Sequence, residues 1–210
     1  MQHRFLNDFL NEQVKKTHPG NVEAQQKQRV PVVYLHRRER DRFYELPFTA
    51  RNMLPACILQ ELNPRHTIKV RVTHDQKTNE VLAKIIKTRV ADHDILLPCQ
   101  ALDCRISINL EMAFQGDIDA LIAGAEEQRI PDRLKDRLSY THSHYQIDLT
   151  QVTSNTDKNK EHELEVEINS RALREQADLL GRGERNSYAD LIQGFVDNVR
   201  VLARAVPPAQ

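Results

Sequence analysis

Glu163-Leu164-Glu165-Val166-Glu167-Ile168 sets three glutamates at every second position, with leucine, valine and isoleucine between them. Successive strand residues point to opposite faces, so this stretch reads as a β-strand with one acidic and one aliphatic face. At about 3.3 Å per residue the outer two glutamates stand roughly 13 to 14 Å apart. A row of like charges needs a cationic counterpart. On an exposed sheet water and salt supply it; at a site built of oxygen ligands a hard divalent cation such as Mg²⁺ or Mn²⁺ does so. The strand alone leaves both readings open.

The same alternation runs through the chain. Arg105, Ser107, Asn109 and Glu111 interleave with Ile106, Ile108 and Leu110. Lys69, Arg71 and Thr73 oppose Ile68, Val70 and Val72; Gln146, Asp148 and Thr150 oppose Tyr145, Ile147 and Leu149. Lys135, Arg137 and Ser139 lie on one side of Leu134 and Leu138. Seven strands are expected, over 32–46, 67–73, 81–90, 105–114, 134–140, 145–152 and 163–168, with a turn at Asp75-Gln76-Lys77-Thr78-Asn79. Helices are expected over 3–15, 117–128 and 187–205. The last carries Leu191, Phe195, Val199 and Leu202 as a stripe to pack on the sheet. Residues 15–29 read as a loop, and 48–66 as an insertion that is helical around 58–62. A half-buried antiparallel sheet explains such alternation. So does a sheet closed on itself with its polar face inward and helices outside, an α+β arrangement around a charged lumen. Such a lumen suits a metal with a polyphosphate, because carboxylates hold the ion while Arg and Lys bond phosphate oxygens.

Composition narrows the setting. The 210 residues suffice for one sizeable domain, taken as 1–210, and 30 basic residues cancel 30 acidic ones, so there is no global field for nonspecific binding of polyanions. Cys57, Cys99 and Cys104 form no CxxC pair, which supports neither a disulfide framework nor structural zinc. No run of about 18 apolar residues and no signal-like leader is present, so no membrane association is expected. His142 and His144 read as a hairpin tip rather than a metal pair, and Gly181-Arg182-Gly183 as a connector.

Arg105-Ile-Ser-Ile-Asn-Leu-Glu111, Lys135-Asp-Arg137-Leu-Ser-Tyr140, Ile147-Asp148-Leu-Thr150-Gln-Val152 and His162-Glu-Leu-Glu-Val-Glu167, followed by Gly194-Phe-Val-Asp-Asn198, occur in that order. Their ordered combination resembles the RNA 5′-triphosphatase (beta subunit) of the fungal mRNA capping enzyme. That family consists of triphosphate tunnel metalloenzymes, in which an antiparallel β-barrel of eight strands encloses the active site. The resemblance implies release of the γ-phosphate from triphosphate-ended RNA, with Mg²⁺ or Mn²⁺ as cofactor. It implies metal contacts at Glu163, Glu165 and Glu167, with Glu167 the direct ligand. Phosphate contacts are implied at Arg71, Lys135 and Arg137, a water held by Glu111, and an orienting role for Asp148. Asp41, Lys87 and Thr150 match further tunnel positions. A guanylyltransferase subunit, self-association as a homodimer and a nuclear location follow from the same resemblance. Two departures stand out. The family's first acidic strand, a Glu-x-Glu pair, has no match in residues 1–31, where Glu12 and Glu23 are the only glutamates. About seven of eight strands and an N-terminally incomplete tunnel are therefore expected. Gln146 stands where some members carry arginine.

Overall fold

The computed structural model describes residues 2–46, 50–51, 54–61, 67–123, 130–154, 156 and 159–207. In chain order the elements are α1 (Gln2–Thr17), α2 (Val22–Gln26), β1 (Val33–Glu45), α3 (Ala56–Glu61), β2 (Lys69–Asp75), β3 (Val81–Ile95) and β4 (Cys104–Ala113). They continue with α4 (Ile118–Ala123), β5 (Arg133–His142), β6 (Tyr145–Ser154), β7 (Glu161–Ile168), α5 (Ser170–Gly181) and α6 (Tyr188–Ala205). All seven expected strands form. They make one antiparallel sheet in the order β4-β3-β2-β1-β5-β6-β7, curled into a half-barrel that is open between β4 and β7 among the described residues.

Helices cover the outer face because that is where the aliphatic set points. Val70, Val72 and Ile86, each fully buried, pack with Tyr44, Ile58 of α3 and Leu121 of α4 over one half of the sheet. Tyr140, Ile147 and Leu149 pack with Leu6 and Leu10 of α1 and Leu202 of α6 over the other. Each such side chain contributes about 1.5–3 kcal/mol of burial. The Tyr140 hydroxyl, otherwise stranded in this apolar layer, donates to Asn7 Oδ1 of α1 at 2.7 Å. With α1 and α6 fixed on the back of β5–β7, no helix of the described residues is packed on the opposite face of those strands.

Three differences from the sequence-based expectation have local causes. Residues 15–29 are not all loop: Asn21 caps α2, its side chain accepting from Glu23 N and Ala24 N. The segment after β7 forms α5, capped by Asn169 accepting from Ala172 N at 2.9 Å, although no α5 residue is buried. The expected helix over 117–128 is seen as Ile118–Ala123, with 124–128 outside the described residues; so are 48–49, 52–53 and 62–66 of the insertion, whose helix is Ala56–Glu61. The histidine pair does cap the β5–β6 hairpin, with Ser143 at φ 54 between β5 and β6.

Gly194 is where α6 meets the sheet. A Cβ there would overlap the Tyr145 hydroxyl, which donates to Leu191 O at 3.1 Å. Gly194→Ala is expected to destabilise the fold by about 1–3 kcal/mol through overpacking, and Tyr145→Phe in the same chain to recover part of that. Urea unfolding of the single and double variants checks it; a neutral Gly194→Ala would refute the close contact.

Candidate functional site: a charged concave face

Cross-strand partners share a face, so the registers define the concave surface. From β1 come Arg37, Glu39 and Asp41; from β5 Arg133, Lys135, Arg137 and Ser139, paired as Arg37 with Arg137, Glu39 with Lys135 and Asp41 with Arg133. Strand β6 adds Gln146, Asp148 and Thr150, and β7 sets Glu167, Glu165 and Glu163 directly beside them. On the other flank Thr73 and Arg71 of β2 face Asp41 and Phe43. Strand β3 continues with Lys87 and Arg89, opposite Glu111 and Asn109 of β4. A bulge at Val90 then re-phases β3, so that Asp92 and Asp94 stay beside Ser107 and Arg105 on this face. The registers thus place every site residue implied by the resemblance on one face of the sheet.

Its centre is basic. The Lys135 ammonium is ion-paired with Asp41, both buried, and the Thr73 hydroxyl donates to Asp41 at 2.7 Å. Burial pushes the Asp41 carboxyl up, but Lys135, Thr73 and Arg71 outweigh it and hold the group below its ordinary value. Burial, aided by Arg71 and Arg137, pushes Lys135 down against the pull of Asp41. Arg71 lowers both groups, as a neighbouring positive charge does. Lys135, Arg71 and Arg137 thus place three cations together, a cluster suited to an anion.

Arg137 joins this centre to the acidic wall. Its Nη1 lies 2.9 Å from Asp148, its Nη2 3.8 Å from Glu165 and its Nε 3.9 Å from Glu39. Burial alone would lower the guanidinium; Asp148, Glu39, Glu165 and Glu167 raise it. The Gln146 amide also donates to Asp148, at 3.0 Å. Arg133 takes Glu163 at 2.6 Å, and Lys87 pairs with Glu111 at 3.0 Å. Glu167, at the solvent edge of the row, has no ion pair among the described residues. Reduced solvation in the concavity, then the Glu165 and Asp148 carboxylates, raise its pKa, while Arg137 and Lys87 pull the other way without cancelling the effect.

The sequence reading did not single out Arg133 as a site residue, because its strand was started one residue later, nor Glu39, two positions before Asp41 on the same face. Strict two-residue alternation back from Lys135 and Asp41 is the signal that finds both.

The raised Glu167 pKa has a pH consequence. A carboxyl that holds its proton more tightly when folded costs stability as pH rises from the unfolded value near 4.5 through the higher folded one, and the cost is complete above it. Glu167→Gln is therefore expected to be more stable than the parent at neutral pH, the difference vanishing below about pH 4. Thermal melts across that range check this; parallel curves would refute it.

Among the described residues no three His, Cys, Asp or Glu side chains converge as an all-protein metal cage. The donor set fits a hard cation in another way. Mg²⁺ is commonly held by one or two carboxylates with water and substrate phosphate oxygens, and the mutually repelling Glu165 and Glu167 offer two that a cation would relieve.

An apolar cavity of about 540 Å³ opens between β4, β7 and α6, with Ile106, Leu164, Val166, Phe195 and Leu202 among its walls. It lies between the two strands that border the opening of the half-barrel. No helix of the described residues is long and apolar enough to cross a membrane.

A family model described as mRNA capping enzyme, beta chain, matches residues 1–208. The chain is 34% identical over 207 residues to the mRNA-capping enzyme subunit beta of Schizosaccharomyces pombe, covering 97% of this chain and 59% of that protein. It is 34% identical over 142 residues to the Candida albicans subunit beta, covering 65% of this chain and 27% of that one. The structure of S. pombe Pct1 RNA triphosphatase in complex with the Spt5 CTD aligns with a TM-score of 0.75 at 33% identity, covering 98% of this chain and 69% of that one. A second structure of S. pombe Pct1 RNA triphosphatase aligns with a TM-score of 0.73 at 34% identity, covering 98% of this chain and 69% of that one. The chain thus spans 59% of the length of the S. pombe subunit. With the family model matching residues 1–208 and 97% of the chain aligned to the S. pombe subunit, the chain belongs to the mRNA capping enzyme beta-chain family.

Proposed function

We propose that this concave face is the centre of a metal-dependent RNA 5′-triphosphatase, which releases the γ-phosphate of triphosphate-ended nascent mRNA as the first step of cap formation. The observation that carries the reading is Arg137: one guanidinium reaches the Asp148 and Glu165 carboxylates beside the buried Lys135, so a cation-binding wall adjoins an anion-binding one. Water attacks the γ-phosphorus, the bond to the β-phosphate oxygen breaks, and inorganic phosphate leaves a diphosphate-ended RNA. Mg²⁺ or Mn²⁺, held by Glu167 and Glu165, would neutralise phosphate charge there.

The chain's own residues do the rest by positioning and charge. Lys135, Arg137 and Arg71 grip the phosphate oxygens, and Asp148 fixes the direction of the Arg137 fork. Glu111, steadied by Lys87, holds the attacking water. The buried Thr150 hydroxyl has no hydrogen-bond partner among the described residues and is free to donate to substrate. Asp41 maintains Lys135 as an ammonium.

Manganese-dependent phosphate release from triphosphate-ended RNA tests this, alongside ATP. Glu165→Ala and Glu167→Ala are each expected to reduce release by two or more orders of magnitude, the scale of removing one electrostatic contact. Hydrolysis of ATP with negligible release from RNA would sink the RNA assignment and point to a small-triphosphate hydrolase. A diphosphate end is the substrate of guanylyl transfer, so the reading includes a guanylyltransferase subunit as partner and the nucleus as location. Self-association as a homodimer belongs to the same reading, and sedimentation of the purified chain checks it.

A further inference from the structure

The basic residues of β1 are not equivalent. Arg38 pairs with Asp136 at 3.6 Å, Arg42 with Asp132 at 3.3 Å, and Arg40 bonds Asn79. Arg37 has neither hydrogen bond nor ion pair to any described residue, and its side chain is exposed. It also differs in direction. Arg38, Arg40 and Arg42 share the outer face, whereas Arg37 alternates with Glu39 and Asp41 and stands on the concave face directly opposite Arg137.

Two arginines paired across neighbouring strands repel one another. The carboxylates that satisfy Arg137 lie on its far side, on β6 and β7, and at Glu39; none reaches Arg37. Beside this pair is Ser139, whose register partner is Leu35, two residues from Arg37. Ser139 is 4% exposed, and its hydroxyl has no hydrogen-bond partner among the described residues. Burying a hydroxyl without a partner costs about 1–3 kcal/mol. One free guanidinium, the edge of a second and an unpartnered hydroxyl therefore occupy neighbouring register positions on the concave surface, one register step from the Glu39–Lys135 pair.

We infer that Arg37 and Ser139, with Arg137, form a further phosphate subsite, taking oxygens of a phosphate other than the one gripped at Lys135 and Arg71. This rests on the triphosphatase reading. An anion here removes the repulsion between the two guanidiniums, gives Arg37 its missing partner and accepts the Ser139 hydroxyl. The phosphate belongs either to the triphosphate or to the first phosphodiester of the RNA, and the substrate used in the assay separates these sources.

The test compares wild type, Arg37→Ala, Arg37→Lys and Ser139→Ala on triphosphate-ended RNA and on ATP. Arg37 is exposed and makes no hydrogen bond or ion pair with the described chain, so its loss leaves stability within about 0.5 kcal/mol, which thermal melting verifies. Losing a charge-assisted contact at an open site is expected to raise KM for RNA roughly tenfold with kcat nearly unchanged. Arg37→Lys recovers part, and Ser139→Ala raises KM by a smaller factor. A rise for RNA alone assigns the phosphodiester; a rise for both substrates assigns the triphosphate. Unchanged KM for both overturns the subsite. If the wild type releases phosphate from neither substrate, the triphosphatase reading fails, and fluorescence anisotropy with triphosphate-ended RNA still decides this one. Arg37→Ala should then weaken binding about tenfold and lower the slope of log affinity on log salt by about 0.7, one single-strand phosphate contact. Equal affinity and slope overturn it.

Discussion

Lys135→Met should cost the fold about 3–5 kcal/mol, the usual penalty for breaking a buried ion pair on one side only. Lys135 is 5% exposed and Asp41 fully buried. With the ammonium gone, the Asp41 carboxylate keeps the Thr73 hydroxyl but loses its counter-ion at a position with no exposure to bulk water. The carboxyl answers by taking up a proton, so the variant's stability should rise as pH falls towards 4, opposite to the parent, whose depressed Asp41 pKa makes that pair lose stability on acidification. Lys135→Met combined with Asp41→Asn should regain much of the loss, because replacing both charges removes the stranded one. Urea unfolding of the three proteins at two pH values is the measurement. A Lys135→Met variant within 1 kcal/mol of the parent would mean that the pair is not closed to solvent as the structure has it.

The second large effect falls on catalysis. Arg137→Ala should lower kcat for phosphate release by about 10²–10³-fold, the scale of losing a preorganised charge on the developing oxyanion. Arg137→Lys should remain more than tenfold down. It restores a positive charge, but not the planar fork that spans Asp148 on one side and Glu165 on the other. The lysine variant separates geometry from charge. If both variants retain kcat within threefold of the parent, Arg137 is a structural tie between β5 and β7 and another residue stabilises the transition state. Because Asp148 is fully buried and Gln146 is then its remaining side-chain hydrogen-bond donor among the described residues, unfolding measured in parallel keeps loss of fold distinct from loss of chemistry.

Much of this was readable in the residues themselves. Alternation of glutamate with leucine, valine and isoleucine from Glu163 to Ile168 fixes both the strand and the side that bears charge, since a slip of one residue would bury every glutamate. All seven strands follow from that rule, and Lys135 and Arg137 reach the concave face by the same logic. Pairing between walls is a different matter. Nothing in the local pattern says that Asp41 meets Lys135 or that Arg133 meets Glu163; those contacts depend on which strands become neighbours and in what register. Helix α5 was legible and escaped the reading: Asn169 is a good cap, and Leu173, Ala177 and Leu180 recur at helical spacing although no α5 residue is buried. Strand β3 was expected to stop at Val90 and runs on to Ile95. The extra residue there breaks the period of two, and a reader following alternation loses the strand where it is re-phased.

That single surplus residue also decides which carboxylates line the far end of β3. Paired in register instead of bulged, Val90 would turn Asp92 and Asp94 towards the outer face and Ala91 and His93 into the lumen, and Arg105 of β4 would lose the Asp94 carboxylate it holds at 2.6 Å. Deleting Val90 would remove the bulge and leave both aspartates inside, in strict alternation with Arg89. Along this arm of the sheet, one unpaired residue rather than the spacing of the charges sets inside from outside.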